Sequence, residues 1–347
     1  MTSREPDGVL GGNKGPTGAA GSDPSVTDRE PDGVLGGSEA PTRAEEPDGF
    51  LGEIKAPAKV NLSLKVLGRR PDGYRELYGL MARVGLYDQI GVYLVGGQGP
   101  DELVCENGIG KPFGDALYFD EAFRGPTNLA LRAVGAFRDL TGFPPGPVRV
   151  ELIKAIPKAA GLGGGSSDAA AVLRLLSRHR EVTKVQLKAM AIGLGADVPF
   201  FLEDEPFCWA GGRGERLSPY FGPIPGCHAV LVNPGLELPT SEVFGQLGLT
   251  TELNGSISLI ADSGQESADR QPSWGRNDLE APAVSLCPTL ALTRKAIFET
   301  DPPPVRAGLS GSGATYWAIY DQSYKAQRAS ASLEKQNFWV RLVPLGT

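Results

Sequence analysis

The chain has 347 residues, 41% of them hydrophobic and 22% charged, which supplies a well-buried core and room for two lobes. A net charge of −7 excludes a general basic footprint for nucleic acid, and no apolar run is long enough to span a membrane. Four singly scattered cysteines and only two histidines argue against a zinc site; with no leader-like start, the reading is a cytoplasmic protein with reduced thiols.

Residues 1–53 stand apart. "REPDGVLGG" occurs at 4–12 and again at 29–37, and a looser copy, "EEPDGFLGE", at 45–53. Turn signals with so few large apolar groups cannot build a core, so the expectation is a disordered extension. The alternative is a docking segment using the Val-Leu or Phe-Leu pair of each copy, with no partner identified. In "KVNLSLKV" (59–66), Val60, Leu62, Leu64 and Val66 share one strand face, and Lys59, Asn61, Ser63 and Lys65 the other. "RRPDGY" (69–74) turns sharply into a second alternating stretch, and 105–126 reads as loops and short strands. "NLALRAVGAFRDLTG" predicts a helix between an Asn128 cap and a Gly142 stop, followed by a strand over 147–156. Further helices are predicted from about Ser167 to His179 and from Thr183 towards a turn and strand over 193–202. "HAVLVNPG" (228–235) opens a second lobe. An exposed loop (250–275), helical material (277–299), a glycine turn entering a strand (308–320) and a last helix with a short strand complete it. This mixture does not repeat regularly enough for a barrel or a doubly wound sheet.

The segment "KAIPKAAGLGGGSSDAAAVLRLL" (154–176) carries the strongest chemical signal. Glycines let backbone N–H groups turn towards a bulky anion, and the helix that follows points its positive end at the same place. Ser166 and Ser167 could cap that helix, donate to phosphate oxygens or help position Mg²⁺. No Walker lysine is present, and the glycines fall too late in the chain for a dinucleotide fingerprint. A serine-capped flexible loop with no ligand is the bland alternative. Positive charge must come from elsewhere. Lys59 either reaches a phosphoryl group or is a solvated edge lysine. Asp197, in "GLGADVPFF", either caps a turn or accepts a hydroxyl proton in phosphoryl transfer. "SGSGA" (310–314) is a second glycine-serine nest.

"PAKVNLSLKVLGRRPDGY", "IPKAAGLGGGSSDAAAVLRLL", "LGADVPFFL" and "GLSGSGA", in this order, resemble the motifs of the GHMP small-molecule kinases. The likeness runs from about Pro57 to Gly313. "GRGERL" (212–217) and "VLVNPGLELPTSEVF" (230–244) resemble the branch acting on a cytidyl-linked methylerythritol in non-mevalonate isoprenoid synthesis. The resemblance implies an α+β, two-lobed GHMP kinase fold, with an S5 domain 2-like N-terminal lobe (54–222) and a GHMP C-terminal lobe (223–347). ATP and substrate would meet in the cleft between them. It also implies site residues. Asp197 would act as base or orient the substrate hydroxyl, and Lys59 would activate that hydroxyl, with Asn61 at the substrate. Gly161, Leu162, Gly163, Gly164, Gly165, Ser166 and Ser167 would wrap the ATP phosphates, with Pro157 at their approach. Gly311, Ser312 and Gly313 would line the opposite side, and Asn128 and Lys154 would lie near base and sugar. Tyr74 and Phe244 would sandwich the cytosine. Where that branch usually has histidine after the tyrosine, this chain has Arg75, which donates but cannot accept. The partners expected are ATP, Mg²⁺ and the small-molecule substrate, with at most a weak homodimer and neither nucleic acid nor membrane. A catalytically silent nucleotide-binding protein is the reading from a different class.

Overall fold

The computed structural model describes residues 49–110, 113, 119–247 and 272–347, and its first half is organised by a long hairpin. Strands β1 (Phe50–Arg69) and β2 (Arg75–Leu94) run antiparallel across the "RPDGY" turn, with register shifts at Pro57/Ala58, Asn61/Ser63 and Val66/Gly68. The free edge of β2 is divided. Residues Leu77–Ala82 pair with β5 (Phe207–Gly212), and Gln89–Leu94 pair with β4 (Val148–Lys154). β3 (Glu102–Asn107) adds parallel to β4, and β6 (Arg216–Pro219) antiparallel to β5, giving a six-stranded sheet.

Structure therefore begins before residue 54. Residues 50–53 of the third repeat copy are strand, and the Phe50 ring lies 5.1 Å from that of Tyr93. The two earlier copies lie outside the described residues. Lys59, Asn61 and Ser63 are buried, because the glycine segment and α3 (Gly164–Leu176) cover this face of β1. That removes the solvated-edge reading of Lys59.

The other helices of this half are α1 (Glu121–Arg124), α2 (Leu129–Thr141) and α4 (Lys184–Leu194). α2 has the bounds its sequence predicts: the Asn128 Oδ1 accepts from the Ala130 N–H at 2.9 Å, and Gly142 ends it. α3 starts at Gly164 and ends at Leu176, displaced from the predicted 167–179. Gly163, in a left-handed conformation (φ 71°), serves as its N-cap and lets two further glycines enter the first turn. The turn-and-strand expected over 193–202 is a turn followed by a 3-10 turn, Pro199–Leu202. Pro199, Phe200 and Phe201 are all buried, and Pro199 opens the 3-10 turn.

The second sheet has four antiparallel strands in the order β10–β7–β9–β8: β7 (His228–Asn233), β8 (Arg306–Leu309), β9 (Tyr316–Tyr320) and β10 (Trp339–Pro344). Period-2 alternation divides it between two cores. Ala229, Leu231, Trp317 and Ile319 face the first sheet's core; Val230, Val232, Tyr316, Ala318 and Tyr320 face the helices of the second lobe. Those helices are α5 (Thr240–Gly245), α6 (Glu280–Leu286), α7 (Thr289–Phe298) and α8 (Ser323–Glu334). The helical material over 277–299 is split at Cys287-Pro288, where proline cannot continue the backbone ladder. Of the loop expected over 250–275, the part up to 271 lies outside the described residues. Pro272–Gly275 is not an exposed loop: Pro272 is buried, and the Gly275 N–H donates to the Leu62 carbonyl at 2.9 Å. All four cysteines are free thiols.

Candidate active site

A cleft of about 1330 Å³ opens where β1, the 155–163 segment, the α4 exit and the β8–β9 turn converge. Its floor is set by close backbone approach. Gly161 (φ 76°) sits so near the β8–β9 turn that a Cβ would run into the Ser310 carbonyl oxygen, and a Cβ on Gly163 would lie 2.9 Å from Lys59 Cγ. These glycines are thus required by the protein's own packing. The segment is tied down further where Ser310 Oγ donates to the Gly161 carbonyl (2.8 Å) and the Thr315 N–H to that of Ala160 (3.3 Å). No side chain caps the first turn of α3, so its leading N–H groups and positive dipole end are available beside Gly164, Gly165 and Ser166 in the cleft wall.

Leu162, Ser167 and Gly313 do not line the cleft. Leu162 is fully buried in the core, contributing a carbonyl that accepts the Lys59 backbone N–H at 2.9 Å. Gly313 packs towards Leu309 and Leu238. The earlier helix start puts Ser166 in the cleft and rotates Ser167 to the rear, where its hydroxyl is buried with no partner among the described residues. Pro157, Gly311 and Ser312 line the cleft, and Ser312 Oγ lies 2.9 Å from Thr240 Oγ1 on α5.

Lys59, Asn61 and Asp197 come together despite their separation in sequence. Lys59 Nζ donates to Asn61 Oδ1 at 2.6 Å and lies 3.4 Å from Asp197 Oδ2. The lysine side chain is 5% exposed and the aspartate 34%, so the carboxylate faces the cleft from a fixed cation. Such a pair at a helix N-terminus can hold a hydroxyl against Asp197 while anionic oxygens rest on the amides.

Lys154 also lines the cleft, but its ammonium is committed within the protein. It donates to Asp168 Oδ2 at 2.8 Å and to Asp88 Oδ2, while Asp88 Oδ1 accepts the N–H groups of Ala155 and Ile156 at 2.6 and 2.8 Å. Burial works to lower the Lys154 pKa, but the two carboxylates outweigh it and hold it above the usual lysine value. Burial, reinforced by Asp88 and opposed by Lys154, drives the Asp168 carboxyl well above the carboxylate range. Asp168 Oδ1 has no hydrogen-bond partner among the described residues, and the residue lines the cleft, so its carboxyl is open to a ligand. Sequence reading passed over Asp168; its signal was an acid directly after the serine pair, at the start of the predicted helix. Asn128 lines the cleft with both ends of its amide in use, Nδ2 donating to the Phe123 carbonyl at 3.0 Å besides the helix cap.

Tyr74, Arg75 and Phe244 also line the cleft. Tyr74 is 55% exposed on the hairpin turn, and the Arg213 guanidinium lies 4.8 Å from its ring centroid. Arg213, from the "GRGERL" stretch, was assigned no role from sequence. Arg213 pairs with Glu215 at 3.9 Å and Lys158 with Glu237 at 3.8 Å; with Arg69 they are cationic groups of the cleft lining.

The model for the N-terminal domain of GHMP kinases matches residues 128–205, which hold α2, β4, the glycine segment, α3 and Asp197. A 4-diphosphocytidyl-2-C-methyl-D-erythritol kinase from Syntrophotalea carbinolica is 37% identical, covering 82% of this chain and 95% of its own. A kinase of the same name from Gluconacetobacter diazotrophicus is 38% identical over 82% of this chain and 92% of its own. Among solved structures, a 4-(cytidine 5'-diphospho)-2C-methyl-D-erythritol kinase aligns with a TM-score of 0.64 at 35% identity, covering 85% of this chain and all of its own (100%). A homoserine kinase from Cytophaga hutchinsonii aligns with a TM-score of 0.59 at 17% identity over 89% of this chain and 97% of its own, a likeness of fold.

Proposed function

The chain belongs to the GHMP kinase family, and from that premise we propose that it transfers the γ-phosphoryl group of ATP to the 2-hydroxyl of 4-diphosphocytidyl-2-C-methyl-D-erythritol. The observation that carries the transfer is the Lys59–Asp197 pair, 3.4 Å apart beside the uncapped first turn of α3. In this reading the α3 amides and Ser166 receive the terminal phosphates, and Asp197 accepts or directs the proton of the attacking hydroxyl. Lys59, held by Asn61, offsets negative charge growing on the attacking and transferring oxygens.

Among the described residues no three acidic, His or Cys side chains gather to cage a metal. That fits Mg²⁺, which keeps waters and binds through substrate phosphates plus one or two protein oxygens; Asp197 and Ser166 are the cleft groups suited to hold it. When bound, the ion would neutralise negative charge on the phosphates.

The cytidyl end rests on the relatives' named substrate and on the exposed Tyr74, Phe244 and basic lining. Arg75, in place of the branch's usual histidine, favours a second reading: a GHMP kinase for another small alcohol, with Arg75 facing a carboxylate or phosphate. Steady-state kinetics of the full chain with ATP against the cytidyl substrate, homoserine, mevalonate and galactose separates the two. We expect kcat/KM for the cytidyl substrate to exceed the rest by at least about 100-fold, the scale that a site built around polar contacts can discriminate. A higher value for any other alcohol would overturn the cytidyl assignment, and no turnover with any of them would overturn the kinase assignment.

A further inference from the structure

The turn between β5 and β6 touches two parts of the cleft at once. Gly214 (φ 127°) sits against Asp197, where a Cβ would lie 3.3 Å from the carboxylate Oδ1. The preceding residue, Arg213, has its guanidinium 4.8 Å from the Tyr74 ring centroid. Arg213, Asp197 and Tyr74 all line the cleft, so two adjacent residues span the distance from the carboxylate to the exposed ring.

This turn is fastened to the hairpin turn that carries Tyr74. The carboxylate of Glu76, a residue 3% exposed on β2, accepts from Arg70 Nη1 at 2.8 Å and from Arg216 Nη2 at 3.2 Å. It thereby joins the start of the β1–β2 turn to the start of β6. Glu215 holds the β5–β6 turn from within. Its Oε2 accepts the Arg213 backbone N–H at 2.6 Å, and a Cβ on Gly212 would lie 2.7 Å from its Oε1. The same Oε2 stands 3.9 Å from Arg213 Nε, which offsets part of the charge but is beyond hydrogen-bond reach. The Arg213 guanidinium thus makes no hydrogen bond among the described residues.

An arginine that merely covered a tyrosine would bury it, yet the Arg213 side chain is 30% exposed and Tyr74 remains 55% exposed. A guanidinium resting on a ring by its face keeps its N–H edge for a bidentate pair with phosphate oxygens. A diphosphocytidyl alcohol joins its alcohol to its base through two phosphates. With the hydroxyl at Asp197 and the base at Tyr74, that linker has to pass Gly214 and Arg213. Resting on the cytidyl reading above, we propose that Arg213 is a specificity-determining residue that binds the diphosphate of the substrate. The Glu76 clamp keeps its fork in a fixed place between the two turns.

The test is steady-state kinetics of the full chain at saturating ATP, with cytidine 5'-diphosphate and cytidine as inhibitors competing with the cytidyl substrate. Arg213→Gln should raise KM for that substrate at least about 10-fold, the scale for a lost charge-assisted pair, with kcat within about threefold and KM for ATP unchanged. It should weaken inhibition by cytidine 5'-diphosphate by a similar factor and leave inhibition by cytidine unchanged. Should Arg213→Gln fail to fold, Arg213→Lys takes its place, with a smaller loss confined to the diphosphate. An unchanged KM overturns the proposal. So does an equal loss for both inhibitors, which would show that Arg213 only holds Tyr74. A wild type that phosphorylates another alcohol in preference to the cytidyl substrate removes the cytidyl reading itself, and the proposal with it, before any variant is measured.

Discussion

Asp197 and Lys154 both sit against a buried partner of opposite charge, yet they differ in exposure. Asp197 is partly exposed and faces the cleft; replacing it by asparagine should lower kcat by about 10²–10⁴-fold, the range for loss of a general base. Calorimetric titration with a nonhydrolysable ATP analogue should show binding little changed. Unchanged kcat would remove the role. Lys154 is walled in by two carboxylates, so Lys154→Met should cost about 3–5 kcal/mol at pH 7, as when one member of a buried pair is removed. The sign of its pH dependence follows. Asp168 already holds its proton to higher pH in the wild-type fold than in the unfolded chain, and removing Lys154 moves that carboxyl further up. Wild type and variant should therefore both gain stability from this group as pH falls from about 8 towards 4, with the Lys154→Met deficit nearly constant between pH 7 and 5, in urea titrations at each pH. A deficit that shrinks steeply over that window would show that Asp168 is ionised in the wild-type fold.

The elements around the glycine segment separate glycines needed for the fold from glycines open to a ligand. Gly161→Ala would force a side chain into the Ser310 carbonyl at φ 76° and should cost about 2 kcal/mol or more in urea unfolding. The nearest atom to a Cβ on Gly165 is Leu129 Cδ1 at 3.7 Å, so Gly165→Ala should leave stability unchanged or slightly raised. Its methyl would project into the cleft, so KM for ATP should rise. Much of this region was legible in sequence, because turn and cap chemistry is local: Asn128, Gly142 and the Thr183 cap of α4 all stand where predicted. The α3 start was misread because a glycine N-cap leaves no side-chain signal, and that shift hid the rearward turn of Ser167. Pairings across space, such as Asp88 and Asp168 on Lys154, have no spacing rule to expose them. "VPFFL" read as strand because its apolar content, without alternation, does not distinguish a strand from a buried 3-10 turn.

At the scale of the whole molecule, β9 binds the two lobes into one cooperative unit. Trp317 reaches into the first lobe, its Nε1–H donating to the Asn61 carbonyl at 2.8 Å, while its neighbours Tyr316 and Ala318 fill the second lobe's core. The described part should accordingly unfold in a single transition, with tryptophan fluorescence and far-ultraviolet circular dichroism coincident in urea. Trp317→Phe, which loses that hydrogen bond, should lower the midpoint by an amount equivalent to about 1 kcal/mol and leave the two probes coincident. Two separated transitions would show that the lobes fold apart.

The hairpin that carries both ends of the cleft has a further consequence, for how such a chain can change over time. Lys59 and Asn61 lie in the buried middle of β1, where almost any replacement disturbs packing, whereas Tyr74 stands exposed just beyond the β1–β2 turn, with Arg75 beside it opening β2. Change at the exposed Tyr74 side chain is thus nearly neutral for folding, while change at mid-strand is not. One strand pair thereby separates what must be inherited unchanged from what can be revised, and a departure such as Arg75 falls on the revisable side.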